Sequence, residues 1–496
     1  MKGLLNFAFF GTLVTAASAI AEPFTVTSLD LDFTVSRPPL SANLTPHAGK
    51  EIVVFGRNKA QAQQIAILAM VDGTLQQVDR FAIGEQYFGY DISTFNAESG
   101  SDTLYFLASD HIGQYQYPQQ DGDSRLLAFM SAHSIYRITH MNYMKHIDFI
   151  YDINNDGLSD VVLPDFTELN VWLSHPERDY KQVSLPINSH TLLERNEFTA
   201  SPAQVFALDM NDDDLLDIVY LNDGVLTMHL AYKRHFEAHN APIRSDVFAI
   251  DWWDQLGEDG EPLDQSDLKY RKLERVEDVN GDAIPDLVVR YTQSSGVFDR
   301  TNDYEVYYGT RNTDTIVSYP STPNTTISAD GTLTDLQLQD IDGDGSKEVM
   351  VASFELGVGQ VVSALLASSI DQDVLLYWQN REGQYPKKPT LDYETEMSFS
   401  ISKGRASEPL VLLSDINGDG RKDLLFSEDD DELVYRLNDG AQSFARSKQV
   451  TAPMPKSGNQ VSTADINQDG KDDLIFYYGK LDSPALQKRI TVMIAQ

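Results

Sequence analysis

One acidic nonapeptide recurs six times in this chain. The copies are Asp152-Ile-Asn-Asn-Asp-Gly-Leu-Ser-Asp160, Asp209-Met-Asn-Asp-Asp-Asp-Leu-Leu-Asp217, Asp278-Val-Asn-Gly-Asp-Ala-Ile-Pro-Asp286, Asp340-Ile-Asp-Gly-Asp-Gly-Ser-Lys-Glu348, Asp415-Ile-Asn-Gly-Asp-Gly-Arg-Lys-Asp423 and Asp465-Ile-Asn-Gln-Asp-Gly-Lys-Asp-Asp473. All fit D-x-[DN]-x-D-x-x-x-[DE]. Acidic residues scattered at the chain's own frequency would give about a quarter of one match, so six copies are not ordinary acidic turns. Carboxylates packed this closely repel one another unless a cation joins them. Calcium suits the pattern, because it is a hard cation that takes about six to eight oxygen ligands. Side chains at positions 1, 3 and 5 of a tight loop converge on one point. The carbonyl of position 7 and the carboxylate of position 9 close the shell, and a glycine at position 6 permits a left-handed turn.

The elements around the loops decide which calcium motif this is. The helix-loop-helix hand needs a Glu at position 12. Position 12 here is Leu163, Tyr220, Val289, Val351, Phe426 or Phe476, and none can bind a cation. Each loop instead runs into a short β-type segment such as Val161-Val-Leu163 or Leu474-Ile-Phe476, and runs such as Val205-Phe-Ala-Leu208 precede it. The unit is a β-hairpin clipped at its turn. The first aspartates are 57, 69, 62, 75 and 50 residues apart, a spacing that suits a four-stranded propeller blade with long loops. No long amphipathic helix intervenes, which argues against an α/β sheet.

The repeats resemble the FG-GAP or VCBS repeats of calcium-binding β-propellers, including the integrin-α head, over residues 140–490. The resemblance implies that Asp152, Asn154, Asp156, the Leu158 carbonyl and Asp160 hold one calcium. By the same carry-over Asp209, Asn211, Asp213, Leu215 and Asp217 hold a second, and Asp278, Asn280, Asp282, Ile284 and Asp286 a third. Asp340, Asp342, Asp344, Ser346 and Glu348 hold a fourth, Asp415, Asn417, Asp419, Arg421 and Asp423 a fifth, and Asp465, Asn467, Asp469, Lys471 and Asp473 a sixth. Up to six structural calcium ions are therefore expected. Loops 152–160, 415–423 and 465–473 match the pattern best. Asp214 replaces the position-6 glycine in one loop, and Ala283 with Pro285 makes loop 278–286 depart furthest. The Phe-Gly and Gly-Ala-Pro signatures of the family are largely missing, so integrin-like ligand specificity does not carry over.

Residues 22–140 read as degenerate blades without the ligand set, with Glu51-Ile-Val-Val-Phe55 and Asp102-Thr-Leu-Tyr-Phe106 in the place of the strand after the loop. Residues 141–496 carry the six calcium-loop blades of the same propeller. This gives an all-β fold with eight blades favoured and seven as the alternative. Pro23-Phe-Thr-Val-Thr27 is expected to pair outside Arg489-Ile-Thr-Val-Met-Ile494 and close the ring, which removes an open edge.

Composition bounds the function. The chain has 496 residues, 75 acidic against 38 basic side chains, a formal charge of −37 and no cysteine. Nucleic-acid binding needs a clustered basic surface and is not expected. Disulfides, cysteine zinc sites and thiol nucleophiles are excluded. The six loops place 19 carboxylates at ligand positions, and neutralising those would move the formal charge to −18. Lys2, an apolar run from Leu4 to Ala17 and Ala19-Ile-Ala21 form a secretory leader over 1–21, which predicts a secreted or periplasmic protein. No later stretch is apolar enough to insert in a membrane.

No catalytic set stands out. His229, His235 and His239 are the tightest histidine group but lack the H-E-x-x-H pattern. Trp252 and Trp253 in the insertion at 251–261 stand beside carboxylates and Gln255, a combination that suits a sugar ring, although packing between blades would also use them. Tyr377 and Trp378 form a second candidate of this kind. The reading is an exported recognition or adhesion protein for a glycan or protein ligand. The alternative is a polysaccharide-active enzyme, a lyase or hydrolase, on a calcium-binding propeller.

Overall fold

The computed structural model describes residues 23–496 except 95–99, 119, 121, 139–143, 176–179, 195–196, 223, 234, 258–259, 297–298, 312–316, 356–367, 401–404 and 430. The expected leader lies outside the described residues. Regular structure among the described residues is β-strand, apart from five short 3-10 turns. None of their helices is long and apolar enough to cross a membrane.

The strands form eight sheets of four or five, each mostly an antiparallel meander, and two extra two-stranded hairpins. We number the sheets as blades in chain order: 34–82, 87–146, 150–186, 205–242, 247–327, 332–407, 411–451 and 461–495, the last completed by 24–30. Within a blade the second strand is buried on both sides, as in Asp160–Pro164 and Asp473–Tyr477, because a neighbouring sheet covers each face. Its continuous apolar run follows from that double coverage. The outer strands, such as Tyr180–Pro186 and Lys448–Thr451, are mostly exposed.

Eight hydrophobic clusters join the blades, each shared by two neighbours. Phe55 and Ile67 of blade 1 pack with Tyr90 and Phe106 of blade 2, and the series runs to Leu425 and Leu433 of blade 7 against Leu474 and Met493 of blade 8. Ile52 and Val54 of blade 1 then pack on Ile475 and Val492 of blade 8. Eight sheets with eight shared cores, the last sheet meeting the first, make an eight-bladed propeller. A second latch closes the ring: Phe24–Asp30 pairs antiparallel with Arg489–Ala495, from Phe24 opposite Ala495 to Asp30 opposite Arg489. Arg489 and Asp30 add an ion pair at 2.8 Å. The inner strand of blade 1 is split into Thr34–Val35 and Leu40–Ala42, with Pro38 and Pro39, which lack an N–H, between the halves.

Candidate metal centres

Each acidic nonapeptide connects the first strand of its blade to the second at one face of the ring, save that blade 5 has the short extra strand Val247–Phe248 ahead of Leu268–Glu277, and we count the latter as its first strand. The chain reverses through two left-handed residues. Position 6 is one of them, with φ of 76° at Gly157 and 87° at Gly470, and Asp214 and Ala283 adopt it at 64° and 61°. Position 4 is the other, with φ of 52° at Asn155, 67° at Asp212, 76° at Gly281 and 60° at Gln468. A side chain other than glycine in this region costs about 1–2 kcal/mol, so loop 278–286 carries strain at Ala283.

The aspartates wind the loop. The position-1 carboxylate accepts the N–H of position 6 in all six copies, for example Gly157 to Asp152 and Gly420 to Asp415, both 2.8 Å. The position-5 carboxylate accepts the N–H of position 7, as in Leu158 to Asp156 at 3.0 Å and Ser346 to Asp344 at 2.8 Å. The position-9 carboxylate is fully buried, opens the second strand and accepts the N–H of position 2, as in Ile153 to Asp160 and Ile466 to Asp473, both 2.9 Å. Its other oxygen reaches the end of the third strand: Ser174, Ala231, Gly309, Asn438 and Ala495 donate to Asp160, Asp217, Asp286, Asp423 and Asp473 at 2.6–2.9 Å. Position 9 thus pins three strands of its blade.

These loops fit a cation. Carboxylate oxygens of Asp340, Asp342 and Glu348 lie within 4.8 Å of one another, so this group could hold a metal ion. At position 3, Asp342 Oδ1 and Asn211 Oδ1 are buried without a hydrogen-bond partner, and a cation in the loop would supply one. Burial lifts the position-9 carboxyls to about 6 at Asp160, Asp423 and Asp473, about 7 at Asp217 and Asp286, and about 8 at Glu348; backbone donors oppose the shift and the other loop carboxylates add to it. In the five loops with Asn at position 3, its amide donates to the position-5 carboxylate at 3.0–3.2 Å. Loop 415–423 differs in one respect, since Arg421 brings its guanidinium onto Asp419 at 2.5 Å.

Neighbouring loops are joined. The position-8 N–H donates to the position-2 carbonyl of the preceding loop in Leu216 to Ile153 at 3.0 Å, Lys347 to Val279 at 2.8 Å and Lys422 to Ile341 at 2.8 Å. Asp472 reaches Asp415 instead, at 2.7 Å. Position 8 of blade 5 is Pro285, which has no N–H, so the belt breaks between blades 4 and 5. Neither the belt nor the left-handed position 4 was anticipated from the sequence.

The same frame continues into blade 1. Residues 43–51 hold Thr45 at position 3, His47 at position 5 and Glu51 at position 9. Glu51 is fully buried and accepts from Leu44 N at 2.7 Å, Thr45 N at 3.2 Å and the Thr45 hydroxyl, while His47 Nδ1 lies 2.7 Å from Thr45 Oγ1. Lys50 continues the belt to Ile466 at 2.8 Å. Counting back nine residues from Glu51, ahead of its apolar strand, would have revealed this copy. In blade 2 most of the corresponding loop lies outside the described residues. A second group able to hold a metal ion joins Asp91, His146 and Asp148. His146 Nε2 is 3.3 Å from Asp91 and 3.6 Å from Asp148. The hydrogen bond to Asp91 raises the His146 pKa. Asp91 also takes the N–H groups of Phe149 and Ile150 at 2.7 Å, which docks the connector into blade 3. Fifty-five positions separate Asp91 from His146, so no local motif marks the cluster.

Trp252 and Trp253 form a 3-10 turn in the connector that enters the first strand of blade 5, at the end of the strands away from the acidic loops. Trp253 is 53% exposed and Trp252 half-buried, with their rings edge-to-face at 5.3 Å. Arg290 lies over Trp253 at 5.6 Å and Arg300 over Trp252 at 5.4 Å. Asp251 anchors the turn to Arg290 and, at 3.2 Å, to Lys272. Glu258 and Asp259 of the insertion lie outside the described residues. Tyr377 and Trp378 are core residues, 0% and 3% exposed, because the strand that carries them is covered on both faces; they offer no ligand platform. His229 is buried against Tyr220, whereas His235 stacks on Tyr232 at the exposed outer strand, so the three histidines do not converge on one site.

Residues 415–476 match the family model of the FG-GAP-like repeat. No curated protein matches the chain. Among solved structures, the chain is similar to a lectin from Agrocybe aegerita described for specific recognition of non-reducing terminal N-acetylglucosamine, at 14% identity over 86% of this chain and 94% of that one, with a TM-score of 0.41. It is also similar to the V. cholerae biofilm matrix protein Bap1, at 11% identity over 94% and 89% of the two chains, with a TM-score of 0.38. Likenesses this distant carry no functional argument.

Proposed function

We propose that this chain is an exported recognition propeller whose blades 3 to 8 are each clipped by one calcium ion, and whose ligand is a glycan or a protein. The observation that carries the metal reading is the shared wrapping of six loops around groups of three or four carboxylates, two of which leave a buried position-3 oxygen unpartnered. The side chains of positions 1, 3, 5 and 9, with the position-7 carbonyl, would hold the ion. Bound calcium supplies the positive charge these carboxylates need to stay ionised and close together. The protein's own groups do the rest. Position 9 ties the loop to the second and third strands, and the belt passes rigidity from blade to blade. Connections on the opposite face are then held in fixed relative positions, and a preorganised surface binds with less loss of conformational entropy.

Thermal melting in chelator tests this. Calcium binding to the folded loops alone adds about 2.7 kcal/mol per site when calcium is about 100-fold above Kd. The melting temperature is expected to fall in chelator and to recover in millimolar calcium, but poorly in magnesium, which demands a tighter octahedral shell. A chelator-independent melt would overturn the reading. Export is tested by N-terminal sequencing of protein recovered outside the cytoplasm, with a start near Glu22 expected and retained Met1 contradicting it.

A further inference from the structure

A well-formed cleft lies on the face away from the acidic loops, where the ring closes. It has a volume of about 800 Å³ and lies between blades 8 and 1. Its walls are the turn that follows strand Glu51–Arg57, the turn that follows strand Asp473–Tyr477, and the connector at 32–38. Both strands begin at an acidic or degenerate loop, so their far ends stand about 20 Å away from those loops. That distance exceeds the Debye length of about 8 Å at physiological salt, and the loop carboxylates do not cancel charge here.

The charge of the cleft is the reverse of the molecule's. The chain has 75 acidic and 38 basic residues. The cleft is lined by five cations, Arg37, Arg57, Lys59, Lys480 and Lys488, and by a single carboxylate, Asp32, which is already paired with Arg80 at 2.5 Å. Arg57 shares its charge with Glu85 at 3.2 Å, and Arg37 lies 6.0 Å over the Phe55 ring. Lys59, Lys480 and Lys488 make no ion pair among the described residues, and Lys59 and Lys480 are exposed at the tips of their two turns. Carboxamides stand beside them. Asn58 spends its Oδ1 on the N–H groups of Ala60 and Ala62 and keeps its NH2, and Gln487 donates its NH2 to the Asp482 carbonyl and keeps its Oε1.

We infer that this cleft binds a short acidic oligosaccharide, a uronate of two or three rings. Cations spaced across two blades match carboxylates spaced along a chain, and free amide donors and acceptors match the hydroxyls between them. The volume lies in the range of sites for ligands of this size. A long polyanion would meet the repulsion of the whole −37 surface, whereas a short one meets chiefly the local field. The inference sharpens the recognition reading and rests on it, but it uses none of the calcium loops.

The test is calorimetric titration of the full calcium-loaded chain with trigalacturonate, its methyl ester and inorganic sulfate. Trigalacturonate is expected to bind, with affinity falling as salt rises. The Lys59→Glu/Lys480→Glu double variant should weaken it by about tenfold or more, and the methyl ester should lose a similar factor. Both lysines are exposed, so the melting temperature should not move; Lys59→Gln/Lys480→Gln provides the same reading without charge reversal. Absence of uronate binding, an unchanged affinity in both double variants, or equal binding of the methyl ester would overturn the inference. So would sulfate competing at equal affinity, since that describes a simple anion site. Loss of binding in a Trp252→Ala/Trp253→Ala variant, with none in the lysine variants, would keep the recognition reading and reject this cleft.

Discussion

The loops of blades 1 and 6 answer one structural problem in opposite ways. Both bury a glutamate at position 9, where it accepts the N–H of position 2: Leu44 to Glu51 at 2.7 Å and Ile341 to Glu348 at 2.9 Å. In blade 1 the loop has no second carboxylate, since positions 1, 3 and 5 are Asn43, Thr45 and His47, and the Thr45 hydroxyl, backed by His47, completes the shell. In blade 6 positions 1, 3 and 5 are all aspartate, and burial with their charge drives the Glu348 carboxyl up to about 8. A hairpin of this frame can therefore be closed by protein hydrogen bonds, as in blade 1, or, on the proposed reading, by a cation. The side chains at positions 1, 3 and 5 differ, and so does the backbone: blade 1 has Pro46 at position 4 and turns instead at Gly49, position 7, with φ of 86°.

The sharpest way to break the comparison is to remove one residue from each loop and melt both variants with and without calcium. Asp344→Ala should cost about 2–3 kcal/mol in calcium, the worth of one saturated site, and little or nothing in chelator, where it relieves repulsion. Thr45→Ala should cost about 1–3 kcal/mol in both conditions, because it strips a donor from a buried carboxylate. Equal behaviour of the two variants would erase the distinction.

The pH dependence comes next. The position-9 carboxyls have folded values raised above those of the unfolded chain. Their protonated forms stabilise the fold fully below the unfolded value near about 4, and this contribution is lost as pH rises through roughly 6 to 8. Protein in chelator should therefore melt lower at pH 8 than at pH 5. In saturating calcium the decline should flatten, because the ion takes the ionised form. A melting temperature in chelator that rises with pH would contradict the assigned burial.

A smaller effect separates the acidic loops from one another. Blade 5 carries Ala283 at φ 61° and lacks the belt donor at Pro285. Ala283→Gly should stabilise by about 1 kcal/mol, measured by melting, because it removes left-handed strain. Asp282→Ala should cost less in calcium than Asp344→Ala. The smallest stability change is expected at the opposite face: Trp252→Ala/Trp253→Ala should barely move the melting temperature, given the exposure of Trp253, while lowering retention on a glycan array. A large loss of stability would show the pair to be packing residues.

Much of this was legible in the sequence, for identifiable reasons. The hairpin unit could be read because six loops share one ligand pattern and each is followed by a doubly buried apolar run. The ring closure could be read because the chain ends on a third strand and begins with a spare one. What stayed hidden depends on contacts between blades. Lys50 donating to Ile466 and the Asp91–His146 pair join residues far apart in sequence. The basic cleft is assembled from three short turns, none of them basic enough alone to stand out. The loop of blade 1 was passed over because the ligand pattern was sought, while the frame beneath it is kept by Glu51 alone. Trp378 looked like Trp253 in sequence, since burial on both faces of a strand is a tertiary fact.

The most direct test of the central claim is the count of calcium ions bound to the intact chain, taken by native mass spectrometry after calcium loading. The account predicts six in the natural sequence and five in Asp344→Ala, with Thr45→Ala still at six. No bound calcium would contradict the metal reading, and a seventh ion lost on substituting Glu51 would contradict the claim that blade 1 closes its own loop.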